Sequence, residues 1–474
     1  MVDRSSFYDV VILGAGPCGL GAAWEMERQR GRGNASSYIV IDASPAVGGS
    51  AASVLTDEGF VFDYGGHILY PHEEYNEFIK LLDETVVAWH ESKPIRGVWI
   101  DGRLIPYPVQ LNIHRLPPYK FLASLMGLSA VSLTRRLRSR RRPPAQNLDR
   151  YLKERFGRGL TQHVLGPINQ KMWAHHPMQL ATSWTTHRSG SRVQNVADAS
   201  VGRILRSLVT GRDNLGWSES TKIRYPLHGG TGAIWTALAK RLPADAIMTS
   251  TKVVEIDSDA HQIRLNNGRV ISYGSLVSSL PINEFLDLMT NNPAPSLAGK
   301  FRSANAAFIG LGVRGRPPEF LDGVHSFHMP EADVPCWRVS FPKSLSPGNV
   351  PPGPYWSLLC EISHLRGEDF DLERAELEIV DHLRKRGILP PGSEIVSRWR
   401  SQMRHGYPVP FLGRDEVLQC AQSELQARRI YSRGRFGGWK YEASNQDHTF
   451  MQGVEAVRRI LHGDAETTYR SEPE

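Results

Sequence analysis

Hydrophobic positions near the N-terminus of the chain follow a strand, helix and strand pattern. Residues 8–13 form a short apolar run rich in β-branched side chains, which is typical of a buried parallel strand. Positions 20, 23, 24 and 26 then repeat with helical spacing, and this helix is predicted to end before Gly31. A second apolar run at residues 38–41 ends in Asp42. This order predicts a β-α-β unit, and hence an α/β fold with a parallel sheet.

Longer segments downstream have either a helical or a strand pattern. Residues 117–165 are mostly helix-compatible, whereas residues 307–313 and 355–362 have the clearest strand pattern. Residues 251–256 predict a strand that returns to the first sheet, and a hairpin around an Asn-Asn-Gly turn follows at 262–271. The chain is therefore predicted to contain a first α/β unit, a helical region and a second region of sheet.

The turn after the first strand carries the glycine pattern of a dinucleotide site. Gly14, Gly16 and Gly19 form G-x-G-x-x-G between strand and helix. Asp42 lies 23 residues after Gly19, at the end of the second strand. Gly14 permits a tight turn, Gly16 lets the backbone approach a pyrophosphate, and Gly19 allows the helix to pack closely on the strand. The helix N-terminus presents N–H groups to phosphates and Asp42 is suited to ribose hydroxyls, so we predict dinucleotide binding.

Two further glycine pairs favour FAD over NAD. Gly48-Gly49 follows the acidic end of the second strand, and Gly65-Gly66 precedes His67. A glycine pair soon after the acidic strand resembles the FAD-binding, amine-oxidase-like flavoproteins, whose flavin requires close approach of the backbone. Ordinary turns are the alternative interpretation of each pair taken alone.

Length and composition are those of a folded protein of several domains. The chain has 474 residues, of which 41% are hydrophobic and 22% charged; this excludes wholesale disorder and fits about two to four domains. No apolar run approaches the ~20 residues of a membrane span, and the N-terminus has no signal-peptide pattern. The widely spaced Cys18, Cys336, Cys360 and Cys420 predict small buried hydrophobes in a reducing compartment. We therefore expect a cytoplasmic protein.

The net charge of +7 is concentrated in one basic segment. Residues 135–142 contain six arginines, and without them the net charge is only +1. No aromatic residues or motifs of a nucleic-acid interface accompany the segment, so we predict a solvated connector or helix face and no nucleic-acid partner. A contact with a polyanion or a membrane surface is the alternative. His175-His176 has no third ligand in metal spacing, so no metal site is predicted.

Several longer motifs resemble those of one enzyme family. The most specific is the block at residues 431–456, and it is accompanied by GGH at 65–67, IPYP at 105–108, NQKMW at 169–173, GGTGAIW at 229–235 and HGYPVP at 405–410. Together they resemble the UDP-galactopyranose mutases, with the eukaryotic, fungal branch as the nearest match. The resemblance extends from about residue 8 to about residue 466.

The resemblance implies an α/β fold with three domains. A Rossmann-like FAD-binding domain is expected to combine residues 1–92, 224–285 and 425–474. An inserted helical domain is expected at 113–223. An antiparallel β-sheet domain that binds the substrate is expected at 93–112 and 286–424.

The resemblance also implies an activity, the interconversion of UDP-galactopyranose and UDP-galactofuranose. In that reaction N5 of reduced FAD attacks the anomeric carbon and displaces UDP, and the sugar ring opens and recloses before UDP returns. The implied partner is a UDP-sugar, NADPH is a candidate reductant, and a homo-oligomer is compatible with the family. The alternatives are a mutase for another nucleotide sugar, an amine-oxidase-like FAD oxidoreductase, and a flavin-binding protein without catalysis.

The motifs allow site residues to be matched position by position. The expected catalytic residues are Arg188 and Arg338, on the diphosphate, and His67, on a loop that moves with the flavin redox state. The expected cofactor-binding residues are Gly14, Gly16, Gly19, Asp42, Gly48, Gly49, Gly65, Gly66, Val253, Arg435, Asn445 and Gln446. The expected substrate-binding residues are Tyr70, Tyr107, Gln110, Asn169, Trp173, Arg188, Arg338, Tyr407, Tyr441 and Asn445.

The chain departs from the fungal pattern around the expected nucleotide and diphosphate site. His328 and Leu345 replace two further diphosphate-binding tyrosines, and Ser326 replaces a nearby tryptophan. Ser220 replaces an asparagine of the mobile loop, and an arginine near the isoalloxazine falls at Pro94, with Arg96 two places on. These departures leave the nucleotide and the sugar open, and they predict altered affinity for UDP.

Overall fold

A computed structural model describes residues 6–69, 72, 74–137, 145–185, 199–214 and 222–470. The predicted site residues Tyr70 and Arg188 and the departure at Ser220 lie outside these ranges, as does the basic segment from residue 138 onward. Within the described part of the chain, no helix is both long enough and apolar enough to cross a bilayer.

Strands and helices follow one another along most of the chain. The strands are β1 (Ser6–Leu13), β2 (Tyr38–Ile41), β3 (Ser53–Leu55), β4 (Val61–Asp63), β5 (Trp89–Ser92), β6 (Ile95–Ile100), β7 (Arg103–Pro106), β8 (Ile223–Pro226), β9 (Ile247–Met248), β10 (Val253–Asp257), β11 (Gln262–Leu265), β12 (Val270–Ser278), β13 (Ser303–Arg314), β14 (Val324–His328), β15 (Arg338–Ser340), β16 (Tyr355–Leu365), β17 (Ile395–Pro408) and β18 (Ile430–Ser432). The α-helices are α1 (Pro17–Arg30), α2 (Asn76–Thr85), α3 (Pro118–Leu137), α4 (Leu148–Leu160), α5 (Gly166–Trp173), α6 (Val201–Thr210), α7 (Gly232–Ala239), α8 (Ile282–Leu288), α9 (Pro295–Ala298), α10 (Pro342–Leu345), α11 (Leu372–Lys385), α12 (Arg414–Ala427), α13 (Gly434–Gly437) and α14 (Gln446–His462).

The first sheet contains the predicted β-α-β unit. Its strand order is β10-β11-β12-β1-β2-β9, and β18 pairs with the C-terminal end of β12. The strands β1, β2, β9, β12 and β18 run parallel, whereas β10, β11 and the start of β12 pair antiparallel, as the predicted hairpin requires. Residues 10–13 of β1 are at most 1% exposed. Burial on both faces of the sheet explains their continuous apolar run.

The second sheet has the strand order β17-β13-β16-β15-β14-β6-β7. All of its pairings are antiparallel except that of β6 with β14, which is parallel. One face of β13 packs against the apolar side of α11, and the other contacts Phe60 and Phe62. Gly310 and Gly312 face these two rings, where a Cβ would lie within 2.9 Å of ring atoms. Residues two apart share a face of a strand, so this spacing of small residues makes room for both rings.

The predicted helix-compatible segment contains α3 and α4, which pack against each other. A π-helical turn at Thr161–Leu165 continues α4 into α5. The boundaries of the three domains stay a prediction. The expected burial of the cysteines is correct for Cys18, Cys336 and Cys360 but wrong for Cys420, which is exposed on α12.

Candidate functional site

A cavity of about 1220 Å³ lies where the two sheets and the start of α14 meet. Its lining includes the turn after β1, the loop from Tyr64 to Leu69, the ends of β7, β14 and β17, and Arg338 at the start of β15. The predicted site residues among the lining are Gly14, Gly16, Asp42, Gly49, Gly65, Gly66, His67, Tyr107, Gln110, Arg338, Tyr407, Arg435, Tyr441, Asn445 and Gln446. Predicted site residues that are far apart in sequence therefore line one cavity.

One end of the cavity has the geometry that a dinucleotide requires. Gly14 has a φ of +98°, and a Cβ at position 19 would lie 1.7 Å from the carbonyl oxygen of Gly14. The helix α1 starts at Gly16 without a side-chain cap and without an acidic residue in its first turn, so its N–H groups face the cavity unopposed. The Asp42 carboxylate accepts the N–H groups of Ala15 at 2.6 Å and Ser44 at 2.7 Å. These bonds hold the carboxylate beside the glycine turn, where a ribose is expected.

An ion pair between the partly buried Arg338 and the buried Glu361 lies on another wall of the cavity. Arg338 donates from Nε and Nη2 to the two carboxylate oxygens of Glu361, at 2.6 and 2.7 Å. Burial by itself lowers the pKa of Arg338, but the charge of Glu361 offsets this and the net pKa is raised. The pairing is bidentate, which fixes the plane of the guanidinium as well as its charge.

Glu361 also binds two further cavity elements. It accepts the backbone N–H of Gly66 at 2.7 Å and the hydroxyl of Tyr407 at 3.3 Å. A Cβ at position 66 would lie 2.5 Å from Ser340 Oγ and 3.4 Å from the guanidinium carbon of Arg338, so only glycine fits this contact. One carboxylate thus joins the Gly65-Gly66 loop to the predicted diphosphate residues Arg338 and Tyr407.

Arg435 lies against the aromatic wall beside this pair. Its guanidinium carbon is 5.3 Å from the ring centroid of Tyr407 and 5.5 Å from that of Tyr441. It donates to Ser444 Oγ at 3.0 Å and to the carbonyl oxygen of Gly406 at 3.1 Å. Among the described residues it has no carboxylate partner, so its charge adds to a positive potential in the cavity.

Comparison with solved structures identifies a close relative along the whole chain. The crystal structure of a reduced UDP-galactopyranose mutase is 34% identical in sequence, covers 97% of both chains and superimposes with a TM-score of 0.89. This chain belongs to the UDP-galactopyranose mutase family. The resemblance and the fold class predicted from the sequence are confirmed. The family membership makes this chain a flavoprotein.

More distant proteins share parts of the same architecture. A profile described as an NAD(P)-binding Rossmann-like domain matches residues 12–85. Cyclohexylamine oxidase from Brevibacterium oxydans IH-35A is 16% identical, covers 96% of this chain and 98% of its own, and has a TM-score of 0.65. Coproporphyrinogen III oxidase of Bacillus subtilis (strain 168) is 21% identical over 312 residues, 64% of this chain and 66% of that protein. At such identities the likeness shows the fold alone.

Five predicted site residues in the described part of the chain do not line the cavity. Gly19 and Gly48 pack behind the residues that line the glycine-turn end of the cavity, and Val253 is buried on β10. Trp173 is fully buried and lies 4.9 Å from the ring of Tyr441, while Asn169 accepts the indole N–H of Trp173 at 3.3 Å. In this structure Asn169 and Trp173 therefore support the aromatic wall from behind.

His67 lines the cavity on the loop between β4 and α2. Burial, together with the charges of Arg338 and Arg435, lowers the pKa of His67 to about 3. Its Nδ1 lies 3.3 Å from Thr231 Oγ1 and 3.8 Å from Asp63 Oδ2. An uncharged imidazole can donate one hydrogen bond and accept another, so His67 can bond to either kind of group in the cavity.

Two departures from the fungal mutase pattern have different structural consequences. His328 lines the cavity at the end of β14, so replacing a tyrosine there changes the cavity wall. Leu345 is 4% exposed and packs with Ile223, Tyr225 and Ile68, outside the lining. The expectation that Leu345 removes a donor from the diphosphate site therefore has no support in the described geometry.

A buried histidine and aspartate mark the start of α14. His72 Nδ1 is 2.6 Å from Asp447 Oδ2, and the ring centroid of His448 is 4.6 Å from that of His72. The ligand atoms of these three residues lie within 4.8 Å of one another, an arrangement that the sequence did not reveal. The direct hydrogen bond between His72 and Asp447 connects the loop after Leu69 to the helix start that carries Asn445 and Gln446.

Lys171 connects the helical region to the hairpin that carries Arg338. From α5, its ammonium group donates to the carbonyl oxygens of Met329 at 2.7 Å, Glu331 at 3.0 Å and Cys336 at 2.6 Å. These carbonyls belong to the segment between β14 and β15, which starts after His328 and ends before Arg338. Burial lowers the pKa of Lys171 to about 8.

We expect substrate binding to depend on the charge of Lys171. A neutral amine has two N–H donors for three carbonyls, so KM should rise as the pH passes through about 8. The Lys171→Met variant should have a KM roughly tenfold higher than the wild type at pH 7, because three buried carbonyls lose charged donors. Its KM should not show the rise as the pH passes through about 8. Steady-state kinetics from pH 6 to 9.5 measure both effects.

The exposed Lys153 on α4 provides the control, because Lys153→Met should retain the wild-type dependence of KM on pH.

The effect of pH on the stability of the fold has the opposite sign to its effect on substrate binding. The folded pKa of Lys171 lies below the ordinary value of 10.5, so the cost of burying its charge is relieved as the pH rises from about 8 to 10.5. An unchanged KM in Lys171→Met across this range would contradict the proposed role.

Proposed function

We propose that the protein is an FAD-dependent mutase that interconverts UDP-galactopyranose and UDP-galactofuranose. The observation that carries the proposal is the Arg338–Glu361 pair, which holds a guanidinium in the cavity beside the Gly65-Gly66 loop. A nucleotide diphosphate requires cationic and hydrogen-bonding groups of this kind. Arg188 is proposed as the second arginine on the motif match alone.

The residues present fit FAD. The glycine turn, the uncapped start of α1 and the Asp42 carboxylate suit the adenosine diphosphate half, and the cavity continues past Gly65 to Asn445. Bound FAD in its reduced form supplies the nucleophilic N5 for attack on the anomeric carbon. The protein's own contribution is then to bind the diphosphate and to stabilise its charge as it departs.

The tyrosines and arginines of the wall can perform that task. Burial raises the pKa values of Tyr407 and Tyr441, so both keep their hydroxyl protons. Tyr441 can donate to a phosphate oxygen, and Tyr407 can do so by exchanging its 3.3 Å bond to Glu361 for one to the phosphate. Arg338 and Arg435 supply positive charge on the same wall. Because these groups are held by the fold before substrate arrives, little reorganisation is required when negative charge develops on the leaving UDP.

The proposal is tested with the purified holoprotein. We expect a yellow protein whose heat-released flavin is FAD. After reduction with dithionite or NADPH under anaerobic conditions, it should convert UDP-galactofuranose and UDP-galactopyranose into an equilibrium mixture without net oxidation of the sugar. The oxidised enzyme is the control and should be inactive.

Two outcomes distinguish the alternatives. Interconversion of another nucleotide sugar in a substrate panel, with no turnover of the UDP-galactose isomers, would retain the mutase chemistry and replace the substrate. A stoichiometric oxidised product, or full turnover by the oxidised enzyme, would contradict the mutase mechanism and favour an oxidoreductase.

A further inference from the structure

A continuous series of stacked side chains connects Arg96 to Arg338 along the cavity wall. The guanidinium carbon of Arg96 is 5.0 Å from the ring centroid of Tyr107. The Tyr107 ring meets His328 edge-on at 6.1 Å, and His328 stacks on Trp337 at 5.6 Å with an interplanar angle of 20°. The guanidinium of Arg338 lies 4.5 Å from the Trp337 ring. The two arginines thus lie at the two ends of one stack.

The backbone fixes this arrangement. Arg96 and Tyr107 are neighbours in the β6–β7 hairpin, where the N–H of Tyr107 donates to the carbonyl oxygen of Arg96 at 2.9 Å. The strand β6 pairs with β14, with Arg96 opposite Ser326 and residue 98 opposite His328. Arg96, Tyr107, Ser326, His328 and Arg338 all line the cavity. Residues on paired strands are positioned more rigidly than loop residues, which favours a binding role.

The charges along the stack differ from those of a tyrosine-lined site. Burial and the charges of Arg338 and Arg96 lower the pKa of His328 to about 3, so its ring is neutral and keeps one N–H donor. Arg96 lines this part of the cavity together with Arg338. This part of the cavity therefore carries an additional guanidinium where the resemblance leads one to expect a phenolic donor.

We propose that Arg96 binds the diphosphate of the nucleotide sugar, with His328 as a neighbouring N–H donor. This inference rests on the proposed function, because it assigns these residues to the same ligand. A guanidinium matches two phosphate oxygens with paired N–H groups, which a single phenol cannot do. Arg96 thereby compensates for the tyrosine that His328 replaces, and affinity for UDP is retained.

The test compares UDP with uridine on the oxidised holoenzyme by titration calorimetry. The Arg96→Gln variant should bind UDP about tenfold to a hundredfold more weakly, because it loses charge-assisted contacts to phosphate. Uridine has no phosphate, so its affinity should change less than about threefold. Arg103→Gln, an exposed position in the same hairpin, is the matched control and should leave both affinities unchanged.

Three results would overturn the inference. These are an unchanged UDP affinity in Arg96→Gln, an equal loss for UDP and uridine, and a changed flavin spectrum with UDP affinity intact. The second would place Arg96 in support of the base pocket through Tyr107, and the third would place it on the flavin. If the Arg96→Gln variant loses FAD, the Arg96→Lys variant is tested in its place. It should show a smaller loss of affinity for UDP, again without a comparable loss for uridine.

The inference and the proposed function can fail separately. Tight, Arg96-dependent UDP binding without sugar interconversion by the reduced enzyme would retain the subsite and reject the mutase. Normal interconversion with an unchanged KM and UDP affinity in Arg96→Gln would reject the subsite alone. Failure of the wild-type enzyme to bind UDP would reject the subsite.

Discussion

Replacing Arg338 with methionine should lower kcat/KM for the UDP-galactose isomers by about 10²–10³-fold, while FAD stays bound. Arg338 is held by two hydrogen bonds to Glu361 before substrate arrives. Removing one preorganised group that stabilises developing negative charge typically reduces kcat by about 10²–10³-fold. Anaerobic steady-state kinetics with the dithionite-reduced enzyme measure the change.

The same substitution should destabilise the protein. It leaves the buried Glu361 without its cationic partner, and breaking a buried ion pair typically costs about 3–5 kcal/mol. The double variant Arg338→Met/Glu361→Gln removes both charges and should recover most of the free energy of unfolding. It should not recover activity, because the diphosphate still lacks its guanidinium. This comparison separates loss of function from loss of stability.

Arg314 is the matched control for Arg338. It pairs with Glu394 at the end of β13, where both side chains are more than half exposed. An exposed pair contributes about 0–1 kcal/mol, so Arg314→Met should have nearly wild-type stability and kinetics. Near-wild-type kinetics in Arg338→Met as well would remove Arg338 from the proposed site.

Local sequence patterns located the residues that form the glycine-turn end of the cavity. Gly14, Gly16, Gly19 and Asp42 lie within 29 residues, and their roles follow from strand, turn and helix geometry that neighbouring residues determine. The burial of β1 and β13 likewise followed from their apolar runs. Arg338 and Tyr407 were located through longer motifs, and the structure brings them together in the cavity.

The groups that position these residues were not predicted. Lys171 binds backbone carbonyls 158 to 165 residues away, and a carbonyl has no side-chain signal in the sequence. Glu361 did carry a signal, because it is the single carboxylate in the mostly apolar strand β16. A buried charge in such a strand requires a partner, although only the fold shows that the partner is Arg338.

The structural consequences of departures from the family pattern were harder to predict than those of matches. Aligned positions show which residue type is replaced but not which way the new side chain faces. His328 remains in the cavity wall, whereas Leu345 belongs to a small apolar cluster. The role that we propose for Arg96 rests on strand pairing and ring contacts, which the sequence alone does not show.

Replacing Glu361 with glutamine should lower kcat about tenfold to a hundredfold and shift the flavin midpoint potential to a more positive value. The glutamine has nearly the same size, but its NH2 group replaces one carboxylate oxygen. That group then faces Arg338 and either Gly66 or Tyr407, which are donors themselves. Charge-assisted bonds are then lost, which accounts for the kinetic effect. The wall also gains one net positive charge, which favours an anionic reduced flavin.

Glu376 on α11 provides a matched control for this prediction. It is 2% exposed and pairs with Arg398 and Arg400, but none of the three lines the cavity. The Glu376→Gln variant should therefore lose stability while its midpoint potential and kcat stay close to the wild-type values. If Glu361→Gln shows lower stability with unchanged potential and kcat, then Glu361 has the same purely structural role as Glu376. A change in both, measured by anaerobic redox titration and kinetics, identifies Glu361 as the residue that couples the Gly65-Gly66 loop to the diphosphate arginine.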